Sequence, residues 1–462
     1  MGSEAAEISL KAIGKQDTHL LSKDLEKSNF KNSHEPHTPF YMKQRVKTIQ
    51  NVNDEANWPW GKTVKVQYDP KTMGDLLSNM AITIPLSAFP NNPPGILDRY
   101  APMIGYHLIK SVTMYVDEIM VEKIDSDSNI IYHNIYQDAD EEQMSEININ
   151  RGWSHRLWST NFAFQEIHKQ TVPITIPLHF FFGRRFEAGI SEKPYFPLCA
   201  IHKQKIEFDF EFHKKTFFTP TNGDIKLDYF NVVTDEIRLT EIERLYFVKE
   251  TQVITTEFMN KHPVYENKPG TSEIVANLVP KIPVKSLHWF IRNSDFEKED
   301  NPLDTSFGDE INSISTGTNL APVANYNNRF NFSSALPVGQ LVDDVFSEYD
   351  NVTDIEMYIN GEQVIKTLES GPKYFRFYTC SKNNLPLPKQ QHIYTYTFAL
   401  NPKDPGPSGY FDFENTNSNK TFIRVAINES IPNKPRNGIW KMHLYYTGYR
   451  TMQFMDGFMS FL

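Results

Sequence analysis

At 462 residues the chain is longer than a single hydrophobic core usually grows, so two domains of roughly 200 residues each are expected. Its 33 Phe and 22 Tyr, alongside 23% charged residues, exclude a disordered chain, because that apolar and aromatic content is enough to bury a core. The net charge of −10, with 47 basic residues dispersed among 57 acidic ones, argues against nucleic acid as a direct partner, since a phosphate-binding face needs clustered Lys and Arg.

Residues 1–60 are polar, balanced in charge and weakly periodic, and read as an N-terminal arm and lead-in. Met1-Gly2 begins like a myristoylation site, but Ala6 stands where Ser or Thr is expected. No apolar signal core and no apolar run of membrane-spanning length is present, so a soluble chain made in the cytosol is expected. Strand signals begin at Ala81–Leu86. They are strongest over Ile206–Phe212, where four apolar side chains alternate with three acids and period 2 puts all the apolar groups on one face. Asp235–Phe247 mixes helix and strand periodicity and is given one or two turns of helix, while Ile393–Leu400 alternates Thr with aromatics and reads as strand. The 29 prolines outnumber the 21 glycines and fall mainly between apolar runs, the pattern of many short strands in an all-β sandwich.

An internal repeat gives the domain organisation. Val112, Met114, Tyr115, Val116, Asp117, Val121 and Lys123 recur 243 positions later as Ile355, Met357, Tyr358, Ile359, Asn360, Val364 and Lys366. Asn360-Gly361 is a favoured two-residue turn, because both residues tolerate positive φ, so each copy reads as strand, turn, strand. The expected layout is a first β domain over 61–250, a proline-rich linker over 251–283, and a second β domain over 284–462. A long polar insertion over 293–350 interrupts the second domain.

Signatures of catalysis are absent or broken. Gly61-Lys62-Thr63 ends like a phosphate loop, but Ala56 occupies the place of its first glycine. There is no nucleophile elbow, no His-Glu-x-x-His, and no His/Cys spacing that would hold zinc. The acidic runs Asp138, Asp140, Glu141, Glu142 and Asp295, Glu297, Glu299, Asp300 lack the alternating oxygen ligands and central glycine of a calcium loop and read as solvated loops. No catalytic, metal or cofactor residue is nominated. Cys199 and Cys380, about 180 residues apart, read as small buried apolar residues in a reducing compartment. Asn331, Asn351, Asn419 and Asn428 head Asn-x-Ser/Thr triplets and are the candidate glycosylation positions.

Several segments, in order, resemble the double jelly-roll major capsid proteins of nucleocytoplasmic large DNA viruses. Ala12 to Asp17 with Leu20-Leu21, and His37-Thr38-Pro39-Phe40, are similar to that family's N-terminal stretches. Gly74 to Leu77 and His107 to Val112 resemble two of its strand entries, and Ile176 to Phe181 its Ile-Pro-Leu-x-Phe-Trp. Pro197 to Ile206 is similar to its Pro-Leu-x-Ala-Leu run, and Asp228-Tyr229 with Thr234-Asp235-Glu236 resembles the end of its first jelly-roll. In the second half, Pro283 to Trp289, Ile359-Asn360-Gly361, Ile393 to Leu400 and Pro407 to Phe413 fit in sequence. Asp412, Glu414-Asn415 and the ending Gly457 to Phe461 depart from the pattern and mark a divergent branch.

The resemblance implies two tandem eight-stranded jelly-rolls and no enzymatic activity. It implies a homotrimer forming a pseudo-hexagonal capsomer that meets neighbouring capsomers and minor capsid or penton proteins in an icosahedral shell. It also implies an N-terminal arm reaching toward an inner membrane layer, and a place in the virion after assembly in the host cell. Two alternatives stand beside this reading: a double jelly-roll scaffold that shapes an assembling virion and then leaves, and a carbohydrate-active β-sandwich.

Overall fold

The computed structural model describes residues 38–86, 104–137, 149, 172–184, 194–218, 225–297, 350–365, 371–386, 392–404, 406–429, 435 and 437–462. The first half carries β1 (Tyr41–Gln50), β2 (Thr63–Tyr68), β3 (Leu76–Leu86), β4 (Ile109–Val116), β5 (Ile119–Asp125), β6 (Val172–Pro177), β7 (Phe196–Pro197), β8 (Ile206–Phe212) and β9 (Tyr229–Arg238). The second carries β10 (Gln252–Lys261), β11 (Tyr265–Glu266), β12 (Glu273–Asn277), β13 (Val284–Asn293), β14 (Val352–Ile359), β15 (Glu362–Ile365), β16 (Tyr394–Thr397), β17 (Phe422–Ile427), β18 (Trp440–Met455) and β19 (Phe458–Phe461).

These strands form four sheets. The first half has β1-β9-β3-β6 facing β2-β8-β4-β5; the second has β10-β18-β13-β16 facing β12-β17-β14-β15, and the two strand orders are equivalent. The short β7 joins β3, and β11 and β19 join β18, leaving eight principal strands per sandwich, an all-β double jelly-roll. Every strand pairing is antiparallel.

The repeat seen in the sequence is the hairpin β4–β5 and its counterpart β14–β15. Val112 and Ile355, and Met114 and Met357, are fully buried at matching places. Both copies shift register at the same step, between Met114 and Tyr115 and between Met357 and Tyr358. Asp117 and Asn360 both turn at positive φ, 51° and 53°. A shared bulge is strong support for duplication, because a bulge is a specific feature of strand pairing that chance similarity of letters does not reproduce.

Ile206–Phe212 is β8, with its apolar side chains buried and its acids half-exposed, and Ala81–Leu86 lies within β3. Three expectations need correction, and a fourth, the mixed segment 235–247, resolves into the two elements its pattern combined. Residues 41–50 of the supposed arm form β1, an edge strand whose inward-facing positions carry Lys43, Arg45 and Lys47 alongside Tyr41 and Ile49, so the apolar alternation of a strand is lost. The supposed linker 251–283 holds β10, β11 and β12; its prolines Pro263, Pro269, Pro280 and Pro283 stand between those strands, not inside them. The mixed pattern of 235–247 is β9 running into helix α2 (Glu241–Lys249; α1 is Ser126–Ile135), with the Thr240 hydroxyl capping the Glu243 amide. The strand expected over 393–400 stops at Thr397, whose hydroxyl takes the Ala399 amide and turns the chain. Of the expected insertion 293–350, residues 298–349 lie outside the described residues.

Gly448 in β18 sits where the strands leave no room, since a Cβ there would lie 2.6 Å from the Pro283 carbonyl oxygen and 2.7 Å from Ile282 Cδ1. We expect Gly448→Ala to cost about 1–3 kcal/mol of stability, read as a lower urea midpoint with unchanged slope.

Candidate functional site at the junction of the two sandwiches

The two halves are joined by a buried contact between one end of the first sandwich and the outer face of β10-β18-β13-β16. Its apolar part pairs Phe181 with Phe258 and Phe196 with Phe454, at ring-centroid distances of 5.0 and 5.7 Å. Phe258, Met259, Phe290, Tyr445 and Phe454 belong to the same core cluster as the first sandwich, so the halves share apolar packing as well as a covalent link.

A set of buried charges lies within this packing. Glu122 on β5 accepts from Arg184 Nη2 at 2.6 Å and from the Phe181 amide at 2.8 Å. Arg184 also donates to the His179 carbonyl and, across the junction, to the Glu257 carbonyl at 2.9 Å. Glu257 in turn pairs with Lys285, which is completely buried and also donates to the Asp404 carbonyl. Burial pushes the Glu122 carboxyl above its ordinary value, with Arg184 and the Phe181 and Met259 amides opposing it.

A second group surrounds α1, every residue of which is buried. Asp125 caps the helix through the Ser128 amide, and the Ser128 hydroxyl returns to the Asp125 amide. Across the junction Tyr445 donates to Asp125 at 2.7 Å and Lys261 lies 3.2 Å from it. Arg292 forks onto both oxygens of Asp127, at 3.0 and 2.7 Å. Beyond the helix, Tyr136 Oη lies 2.9 Å from His288 Nε2, and His288 Nδ1 lies 3.0 Å from Thr395 Oγ1. Burial holds His288 and His179 neutral, lowering both to about 3.

The residues singled out for chemistry in the sequence are dispersed. Gly61 and Lys62 form the turn into β2, Gly61 at a positive φ of 69° and Lys62 paired with Glu55. Asp138, Asp140, Glu141, Glu142, Glu299, Asp300 and Asn331 lie outside the described residues. Glu297 is engaged by Arg292, Lys441 and His443. Burial would raise its carboxyl, but the His443 hydrogen bond and the neighbouring cations carry it down to about 2. Among the described residues, no group of three or more His, Cys, Asp or Glu is placed to hold a metal ion. Nor is any helix among them long and apolar enough to cross a membrane.

Cys199 and Cys380 are buried, one in each half and unbridged; burial pushes the Cys380 thiol up to about 12. The side chain of Asn351 is buried, Asn428 donates to the Asp350 carbonyl, and Asn419 is exposed in a turn.

The junction charges were not anticipated from the sequence. One signal was available. Glu122 occupies the place that the second repeat gives to Ile365, so one copy puts a charge where the other puts a buried aliphatic side chain.

Comparison with known proteins agrees with this architecture. The sequence profile of the major capsid protein N-terminus matches residues 28–239, and that of the large eukaryotic DNA virus major capsid protein matches residues 236–442. No curated protein sequence matches. Among solved structures, the PBCV-1 virus capsid in its quasi-atomic model superposes with a TM-score of 0.65 at 15% identity, covering 94% of this chain and 99% of that one. PBCV-1 VP54, as fitted into a reconstruction of the virophage Sputnik, gives 0.67 at 15% identity with the same coverage. The Faustovirus major capsid protein gives 0.54 at 11% identity, covering 98% of each chain. Two consecutive profiles that together span residues 28–442, on a duplicated jelly-roll, give the conclusion that the chain belongs to the major capsid protein family of large eukaryotic DNA viruses, a structural protein of the virion shell and not an enzyme.

Proposed function

We propose that three copies of the chain associate into a pseudo-hexagonal capsomer and that such capsomers tile an icosahedral shell. The observation that carries this reading is the equivalence of the two strand orders, β1-β9-β3-β6 with β2-β8-β4-β5 and β10-β18-β13-β16 with β12-β17-β14-β15. Two like sandwiches in one chain let a three-fold object present six similar units, and homo-oligomers with closed symmetry are the common outcome for soluble proteins. The buried junction supports the reading further, because a tile must keep its two halves in fixed relation while contacts around it form and break.

In this reading neighbouring capsomers and minor capsid or penton proteins are the partners, and the N-terminal arm faces the inner membrane layer. Finding residues 1–40 on the outside of assembled particles would contradict that placement of the arm. A temporary scaffold is the second reading, favoured only by sharing the fold. Protein analysis of purified mature particles separates the two. We expect this chain to dominate their protein content, and its absence from mature particles would establish the scaffold instead.

A further inference from the structure

Lys285 is out of step with its strand. β10 and β13 lie on either side of β18, and the register of β13 on β18 shifts between Val284, opposite Gly448, and Ser286, opposite Thr447. Lys285 is the residue left over in that bulge, and a bulge re-aims a side chain that regular alternation would send elsewhere. On β10, Glu257 lies opposite Tyr449 of β18. The two side chains reach across β18 and meet, Lys285 Nζ against Glu257 Oε2, with the residues 0% and 3% exposed.

The atoms around this contact suit an amide as well as they suit an ion pair. The other oxygen of the carboxyl, Glu257 Oε1, faces Arg184 Nη1 at 4.0 Å, so an amine stands at one oxygen and a guanidinium at the other. Among the described residues the Lys285 ammonium donates to two acceptors, Glu257 Oε2 and the Asp404 carbonyl, although it carries three N–H groups. An ion pair here keeps two charges out of water. An amide made from the same atoms carries one N–H and one carbonyl oxygen. The Asp404 carbonyl stands ready to accept from the first, and Arg184 faces the second while keeping its own pair with Glu122.

We propose that Lys285 and Glu257 condense into an isopeptide bond that ties β10 to β13 within one chain. Along the existing hydrogen bond, one proton passes from Lys285 Nζ to Glu257 Oε2, leaving a neutral amine beside a neutral acid. The Nζ lone pair then attacks Glu257 Cδ, and the negative charge that develops on Oε1 is met by Arg184. A second proton moves from Nζ to Oε2, the Cδ–Oε2 bond breaks, and one water leaves. The balance needs no oxidant and no co-reactant, and the fixed contact of amine and carboxyl supplies the proximity that the reaction lacks in solution. The bond clamps the strands on both sides of β18, in the sheet on which the first sandwich packs. Reduction would leave it intact, in a chain whose two cysteines are buried and unbridged. It concerns a single chain and is independent of the trimer proposed above.

Mass spectrometry of the full chain, kept folded until its mass no longer changes, tests the proposal. The intact wild type is expected about 18 Da, one water, below the mass its sequence specifies. Tryptic digestion is expected to give the peptide of residues 250–261 joined to that of residues 282–292, uncut after Lys285, with the link placed at Glu257 and Lys285 by fragmentation. Lys285→Met removes the amine and is expected to show its full mass, a readout that holds whether or not the variant folds. A folded wild type at full mass overturns the proposal. So does a loss of water that maps to other residues or persists in Lys285→Met.

Discussion

Arg184→Met is expected to lower the stability of the chain by about 3–5 kcal/mol, the cost of removing one partner from a buried ion pair. Arg184 is buried and holds three points together: the Glu122 carboxylate, the His179 carbonyl and the Glu257 carbonyl of the other half. Methionine fills much of the volume but leaves Glu122 as a desolvated charge with only backbone amides to hold it. Adding Glu122→Gln removes that charge and should recover a substantial part of the loss, because neutralising both partners is far less costly than orphaning one. Urea unfolding of the wild type, the single variant and the double variant measures the effect. A single variant within about 0.5 kcal/mol of wild type would mean that the junction does not depend on this pair.

The second large effect is a loss of stability on acidification. His179 and His288 have folded pKa values of about 3, below the 6.5 of an unperturbed histidine. A histidine lowered in this way stays neutral in the fold while the unfolded chain takes up a proton, so stability rises with pH between the two values. Its contribution is complete above the unfolded value and is lost progressively as pH falls from about 6.5 toward 3. At pH 5 the loss is about 2 kcal/mol for each of the two histidines. Glu122 acts in the opposite sense, since burial raises its pKa and acid relieves the cost of its charge. Comparing His288→Gln with wild type isolates one histidine: its stability should fall less steeply between pH 6.5 and 5. An identical slope would show that His288 is not kept neutral by the fold.

Much of the fold was legible because the first sandwich has one wet side. The alternation of Ile206–Phe212 between apolar and acidic residues is visible only where one face of a strand meets water, as it does in β8. β13, covered on both faces, shows no alternation, and its buried Lys285, His288 and Arg292 read like residues of an exposed strand. β1 and the strands of 252–277 were missed for related reasons: an edge strand with Lys43, Arg45 and Lys47 on its inward-facing positions, and short strands separated by proline. The junction was illegible because its partners are far apart in the chain. Asp127 and Arg292 are 165 residues apart, and no local pattern links them. The repeat did carry partial information, since it located the β4–β5 and β14–β15 hairpins down to a shared bulge.

Solution mass tests the central claim most directly. The purified full-length chain, examined by light scattering or sedimentation over a range of concentrations, should give a stable species of three times the 53.6 kDa chain mass. A chain that remains at the mass of one copy at high concentration would contradict a capsomer built from three.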